Sequence, residues 1–159
     1  ESYIHLKFNS LVDTHLIHKL YEASQAGVKI KMIIRGVCAL IPGVKGMSEN
    51  IEVISIVDRY LEHARFYCFC NEGDPLYFIS SADWMVRNID RRIEVTCPIY
   101  DNDLKKEIDH LFKLQFSDNL KARKLMPNGE YVSVKPMNKK DIRSQYELFE
   151  YHKKKSKAE

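Results

Sequence analysis

Two strand-length stretches separated by one helix-length stretch constrain this chain more than anything else in it. Tyr3 to Phe8 alternates apolar and polar side chains, the period of a strand with one buried face. Asn9-Ser10 reads as a turn or cap into a helix from about Val12 to Gln25, Gly27 stops that helix, and Val28 to Ile34 is a second strand. Strand, helix and strand in this order make a βαβ unit, whose crossover leaves the two strands parallel. The unit predicts an α/β fold with a mixed, mostly parallel sheet flanked by helices. It also delivers Arg35-Gly36 to the carboxy-terminal strand edge, where open α/β sheets bind ligands.

The rest of the chain extends that sheet. Val37 to Asn50, with Pro42, Gly43 and Gly46, is a loop; Ile51 to Ile56 is a strand and Val57 to His63 a short turn or helical piece. Arg65 to Cys70 and Leu76 to Ser80 form a hairpin through Asn71-Glu72-Gly73-Asp74-Pro75, and Arg92 to Pro98 is one more strand. Asp101-Asn102-Asp103 caps a helix to about Phe116, with Leu104, Ile108, Leu111 and Leu114 or Gln115 on its inner face. Beyond it, Pro127-Asn128-Gly129 turns between a helical and an extended piece, and Lys139 to about Lys155 is a terminal helix.

Charge divides the chain in the same place. Residues 119 to 159 carry 11 Lys and Arg against 5 Asp and Glu, leaving 14 against 17 for residues 1 to 118. We therefore expect a lobe over 1–118 and a basic extension over 119–159 that ends in a helix and can meet a polyanion, although Lys153-Lys154-Lys155-Ser156-Lys157 also fits a solvated helix end. With 45% hydrophobic and 30% charged residues the composition is that of an ordinary globular protein. No apolar run is long enough for a membrane span, and the acidic start lacks the positive region of a signal peptide. Cys38, Cys68, Cys70 and Cys97 have no CxxC or zinc-like spacing, so buried thiols in a reducing cytosol are expected.

Chemistry is densest between His63 and Arg92. His63-Ala64-Arg65, Ser80-Ser81-Ala82-Asp83 and Arg87 to Arg92 supply an imidazole, guanidinium groups and hydroxyls, the parts that hold a phosphoryl group while it moves. With Arg35 from its own strand end, the set Arg35, His63, Arg65, Ser80, Ser81, Arg87, Arg91 and Arg92 is expected to converge on one anion. If Arg91 and Arg92 begin a strand they face opposite ways, so only one of them serves the site. A histidine at a strand boundary is more often structural than catalytic, and the arginines also suit the surface; the neighbouring cations favour the catalytic reading of His63. Trp84 reads as a core anchor and His15 with His18 as a surface pair, while His5, His110 and His152 carry no signal. Neither a GxxxxGK[ST] loop nor a GxGxxG turn is present, and no metal site is indicated.

Taken together, Asn9-Ser10-Leu11-Val12-Asp13, Leu20 to Ile30, Ile34-Arg35-Gly36, Pro42-Gly43, Ser48 to Ile51, Ser55 to His63 and Ser80 to Met85 resemble the carboxy-terminal catalytic region of bacterial polyphosphate kinases of the first family, from about Ile4 onward. The resemblance implies a phospholipase D-like lobe, one of two packed face to face, and reversible transfer of the ATP γ-phosphate to inorganic polyphosphate through a phosphohistidine on the preceding lobe. It assigns ATP phosphate contacts to Arg35 and His63, with His63 as acid–base partner or auxiliary acceptor. It also implies magnesium held largely outside this chain, oligomers of the full polypeptide, no specific nucleic acid, and a cytoplasmic location that can include the inner membrane face. Because the chain starts on the first strand of the second lobe, it is expected to be a fragment, inactive alone. The phospholipase D pattern itself is eroded: HxK is His63-Ala64-Arg65, the later Asp falls at Cys70, and GSxN is Ser80-Ser81-Ala82-Asp83. These departures argue against a phosphodiesterase or nuclease. A non-catalytic polyanion-binding module is the remaining alternative, for which the lysine-rich tail has too few aromatic residues to stack single-stranded bases.

Overall fold

Residues 2–134 and 140–157 are described by the computed structural model. The βαβ unit forms as expected: β1 (Tyr3–Phe8) and β2 (Lys29–Ile34) are parallel, with Tyr3 opposite Lys29 and Phe8 opposite Ile34, and α1 (Thr14–Gln25) crosses between them. The helix is capped by Asp13, whose side chain accepts from the Leu16 amide, rather than by Asn9 or Ser10. Gly27, at φ +89°, ends it in a conformation that a side chain rarely adopts.

β3 (Ile51–Ile56) adds a second parallel pair on β2. All remaining strand-to-strand pairings among the described residues are antiparallel. The hairpin of β4 (Phe66–Phe69) and β5 (Leu76–Ser80) joins the free side of β1, and β6 (Thr96–Ile99) follows β5. On the other side β7 (Ala122–Leu125) pairs with β3 and β8 (Tyr131–Ser133) with β7. The eight-stranded order β6-β5-β4-β1-β2-β3-β7-β8 is thus mixed, and its balance is antiparallel rather than mostly parallel. Only β4–β5 and β7–β8 are joined by short turns; β5–β6 is bridged through α2 (Val86–Arg91), and β1–β4 and β3–β7 pair strands distant in sequence, so tertiary placement sets this balance.

Each sheet face carries its own core. Ile17 and Leu20 of α1 pack with Leu6, Phe8, Ile30, Met32, Ile34 and Val53 on one side. On the other, Phe112 of α3 (Asn102–Phe116) meets Ile33, Ile54, Ile56, Phe66 and Ala122. Such a side chain contributes about 1.5 to 3 kcal/mol through burial. The inner face of α3 is set by Ile108, Phe112 and Gln115, so the expected stripe is rotated and Leu104 is exposed.

Several other expectations change. The strand expected at Arg92 to Pro98 begins only at Thr96: residues 92–95 are an irregular link between α2 and β6. Residues 57–65 contain no helix, and Pro127-Asn128-Gly129 joins two strands rather than a helical and an extended piece. The start expected at Lys139 lies outside the described residues; α4 runs Ser144–Lys155. Beyond residue 118, β7 and β8 join the lobe's sheet, and Asp118 accepts from Ser144 Oγ (2.8 Å) and the Ser144 amide (2.7 Å) at the start of α4. Of the cysteines only Cys68 is buried, whereas Cys97 is exposed because it lies on the edge strand β6.

Candidate functional site

Strand ends at one margin of the sheet gather the predicted groups. Asn9 follows β1 and Arg35 follows β2; the irregular segment after β3 carries His63 and Arg65; Ser81 and Asp83 follow β5; Arg87 lies on α2 and Arg92 just beyond it. Arg35, His63, Arg65, Ser81, Arg87 and Arg92 line one cavity of about 520 Å³. His63 is exposed there, on the same cavity wall as Arg35.

Two predicted residues lie elsewhere. Ser80 Oγ pairs with the Thr96 hydroxyl (2.9 Å) on the neighbouring strand, which ties it to the β5–β6 edge. Arg91 is the last residue of α2 and does not line the cavity, so the choice between Arg91 and Arg92 falls on Arg92. The rule that adjacent side chains diverge does not apply, because these two end a helix instead of beginning a strand.

Asp83 organises the cavity from beneath. Its Oδ1 accepts from the Arg65 Nε (2.8 Å) and the Asn9 amide (2.8 Å), and Oδ2 accepts from Arg65 Nη2 (3.3 Å). Asn9 Oδ1 in turn accepts from Arg35 Nε (3.1 Å), so one buried carboxylate orients both guanidinium groups. Burial pushes the Asp83 pKa up, but the hydrogen bonds from Arg65 and Asn9 together with the Arg65 charge outweigh it and hold the carboxyl below its ordinary range. Arg65 also donates to the His63 carbonyl (3.1 Å) and lies 3.3 Å from His63 Nε2. A guanidinium has only donors, so this contact is a hydrogen bond in the tautomer that leaves Nε2 free to accept. Gly36 is required beside Arg35: a Cβ there would stand 2.8 Å from the Asn9 carbonyl oxygen.

A second polar network fixes the segment leading into His63. Lys7, on the alternation's outward face of β1, is buried and bonds Glu62 at 2.7 Å, with side-chain exposures of 4% and 12%. Gln115 of α3 donates to Glu62 Oε2 (2.7 Å) and Gln145 of α4 to Oε1 (2.8 Å). Burial acts to raise the Glu62 pKa, yet Lys7 and the two amides prevail and lower it.

Arg35 also borders a neighbouring cavity of about 490 Å³, where Ser55, Lys121, Arg123 and Tyr131 complete a wall without carboxylates. Neither Lys121 Nζ nor the Arg123 guanidinium has an ion-pair partner among the described residues. Sequence reading missed both, along with Asn9 and Asp83 as organisers. A polar residue immediately after a buried strand was the available signal for Asn9.

The resident carboxylates do not fit a divalent cation. Asp83 is committed to Arg65 and Asn9, and Glu94 accepts from Ser81 Oγ and from Asn88 Nδ2 at 2.6 Å. No group of three His, Cys, Asp or Glu residues among the described residues could hold a metal.

Comparison with known proteins follows the same lines. A polyphosphate kinase of Vibrio vulnificus is 55% identical over 150 residues, which is 94% of this chain and 21% of that protein. The crystal structure of polyphosphate kinase from Porphyromonas gingivalis matches all of this chain and 24% of its own, with 42% identity and a TM-score of 0.96. Nuc from Salmonella typhimurium, a phospholipase D family member, shares the fold at a TM-score of 0.60 and 13% identity, over 79% of this chain and 82% of that one. The chain thus has a phospholipase D-like fold and spans about a fifth of the length of its curated relatives. With residues 1–145 matched by the model of polyphosphate kinase C-terminal domain 2, the chain belongs to that family.

Proposed function

We propose that this chain supplies one wall of a phosphotransferase site, in which the cavity holds phosphates of ATP and inorganic polyphosphate during reversible transfer of the ATP γ-phosphate. The observation that carries this reading is the meeting of Arg35, His63, Arg65, Ser81, Arg87 and Arg92 in one cavity, with Arg35 and Arg65 held by the Asn9–Asp83 pair. In flight the phosphoryl group spreads charge over its equatorial oxygens, and guanidinium donors fixed beforehand stabilise that charge without reorganising. His63 handles the proton: its imidazole, exposed in the cavity, accepts or returns a proton at the bridging oxygen.

The phosphate acceptor histidine belongs, on this reading, to the preceding lobe of the full polypeptide. That lobe is proposed to cover the exposed apolar side chains Val86, Ile89, Ile93 and Val95 beside the cavity. Distal phosphates of the polymer extend past Arg35 toward Arg123 and Lys121, whose lack of partners supports the route. Magnesium, if used, takes its ligands outside this chain. Assembly of the full polypeptide into oligomers, and its place in the cytoplasm or at the inner membrane face, are inferred from the family.

ATP-dependent polyphosphate formation by the full-length polypeptide tests the reading. Arg35→Ala and His63→Ala are each expected to lower turnover about 10²- to 10³-fold, the usual loss on removing one oxyanion donor. Undiminished turnover in both refutes the assigned roles.

A further inference from the structure

Between β3 and β4 the chain runs without regular structure from Val57 to Arg65, and the imidazole of His63 hangs on that run. No helix or strand ladder runs along it, and at its end the Arg65 carbonyl accepts from the Ser80 amide (3.1 Å). Its middle is held largely from the far end of the chain. Gln145 takes both polar groups of one peptide residue, accepting from the Tyr60 amide (3.0 Å) and donating to the Tyr60 carbonyl (2.9 Å), and also donates to Glu62. Arg143 reaches Asp58 with two bonds, at 2.9 and 2.6 Å, and its guanidinium lies over the ring of Tyr146. The first turn of α4 therefore grips residues 58, 60 and 62, alternate positions of the segment. Asp118, wholly buried, fixes that turn by accepting from Ser144, while its other oxygen accepts from the amides of residues 120 to 122 that lead into β7.

We propose that Gln145 and Arg143 are positioning residues for His63: the amino-terminal turn of α4 clamps the 58–62 segment and thereby sets where the imidazole stands in the cavity. The proposal rests on the phosphotransfer reading above. Neither residue touches the cavity, so each acts only through the segment that it holds. Glu62 is the hinge of the device, because Lys7 and Gln115 fix its Oε2 while Gln145 fixes Oε1. The carboxy-terminal part of the chain, set apart by charge alone in the sequence, becomes part of the catalytic frame.

The test uses Gln145→Ala in the full-length polypeptide, read in two ways. Hydrogen exchange over residues 57–65 is expected to quicken at least tenfold, with α1 and the central strands unchanged. Turnover is expected to fall about 10- to 100-fold, as for other small misplacements of a catalytic group, with the KM for ATP within about twofold. In a His63→Ala background the same substitution should cause no further loss, because a residue acting through His63 has nothing left to act on. Arg143→Lys, which retains charge and loses the paired bonds, should fall between wild type and Arg143→Ala in both readouts. Unchanged exchange, unchanged turnover, or an equal loss in the His63→Ala background overturns the proposal. A polypeptide that forms no polyphosphate in any variant refutes the function and leaves the exchange measurement to decide the clamp.

Discussion

Glu62→Gln is the sharpest perturbation that the structure offers, since it removes one charge and no volume. In the folded chain Glu62 is the counterion of Lys7, whose side chain is 4% exposed, and three donors converge on its two oxygens. The amide that replaces it must turn a donor toward Lys7 and Gln115 or toward Gln145. Either choice leaves a buried donor facing a donor, and the Lys7 ammonium uncompensated. Removing one partner of a buried pair costs about 3 to 5 kcal/mol, a large share of the roughly 5 to 15 kcal/mol that domains have. The assay is urea unfolding at pH 7 followed by the emission of Trp84, the only tryptophan in the chain, which is stacked on Phe8 at 5.0 Å. Adding Lys7→Met should recover part of the loss, because the stranded charge goes with it. The pH profile carries the sign: the folded pKa of Glu62 lies below the unfolded value of about 4.3, so its contribution is present above that pH and disappears as pH falls through the folded pKa. A loss under about 1 kcal/mol, the range of solvent-exposed pairs, would refute the reasoning by showing that water reaches the network.

His5 has a buried Nδ1 without a hydrogen-bond partner and stacks on Phe112 at 4.5 Å; burial, with Lys31 and Lys113 nearby, outweighs Asp109 and lowers its pKa to about 4. The unfolded chain then takes up this proton first, so stability should fall between about pH 6.5 and 4, and His5→Phe should flatten that slope in unfolding curves measured across the window. Gly36→Ala should destabilise by about 1 to 3 kcal/mol through overpacking, because the added Cβ meets the backbone oxygen of Asn9 rather than a movable side chain. Urea midpoints check it, and a loss below about 0.5 kcal/mol would mean that the β1 and β2 ends move apart freely.

What the sequence disclosed is what local chemistry determines. The βαβ unit, the β4–β5 hairpin and the Asp101 cap of α3, whose carboxylate accepts from the amides of residues 103 and 104, all depend on neighbours in sequence. The antiparallel majority of the sheet does not, since the places of β7 beside β3 and of β4 beside β1 are decided by contacts dozens of residues apart. Lys7 makes the same point at one residue. Period-two alternation assigns it to solvent together with His5, and only a carboxylate 55 residues away makes its burial tolerable. Arg35 and His63 were legible as residues that end or follow strands. Asp83 was legible only as part of a motif, because its work is to hold two arginines from beneath and not to face the ligand.

That hidden role decides how much positive charge the cavity can offer. Arg35, Arg65, Arg87 and Arg92 bring four charges, and Asp83 and Glu94 return two, which leaves a net of two. The guanidinium groups are not equivalent, however. Arg65 is engaged by Asp83 through two nitrogens and reaches the His63 carbonyl with another, so an anion can recruit little of it without dismantling the frame. Arg35 is bound only through Nε, which fixes the plane of the group while leaving both terminal nitrogens unpartnered among the described residues. A guanidinium anchored at Nε with its end donors open is already arranged for two parallel bonds to phosphate oxygens, and lysine in the same place could offer a point charge but no plane. On the proposed function Arg35 is therefore the group best arranged to take an anion, and Arg65 the one that builds the wall.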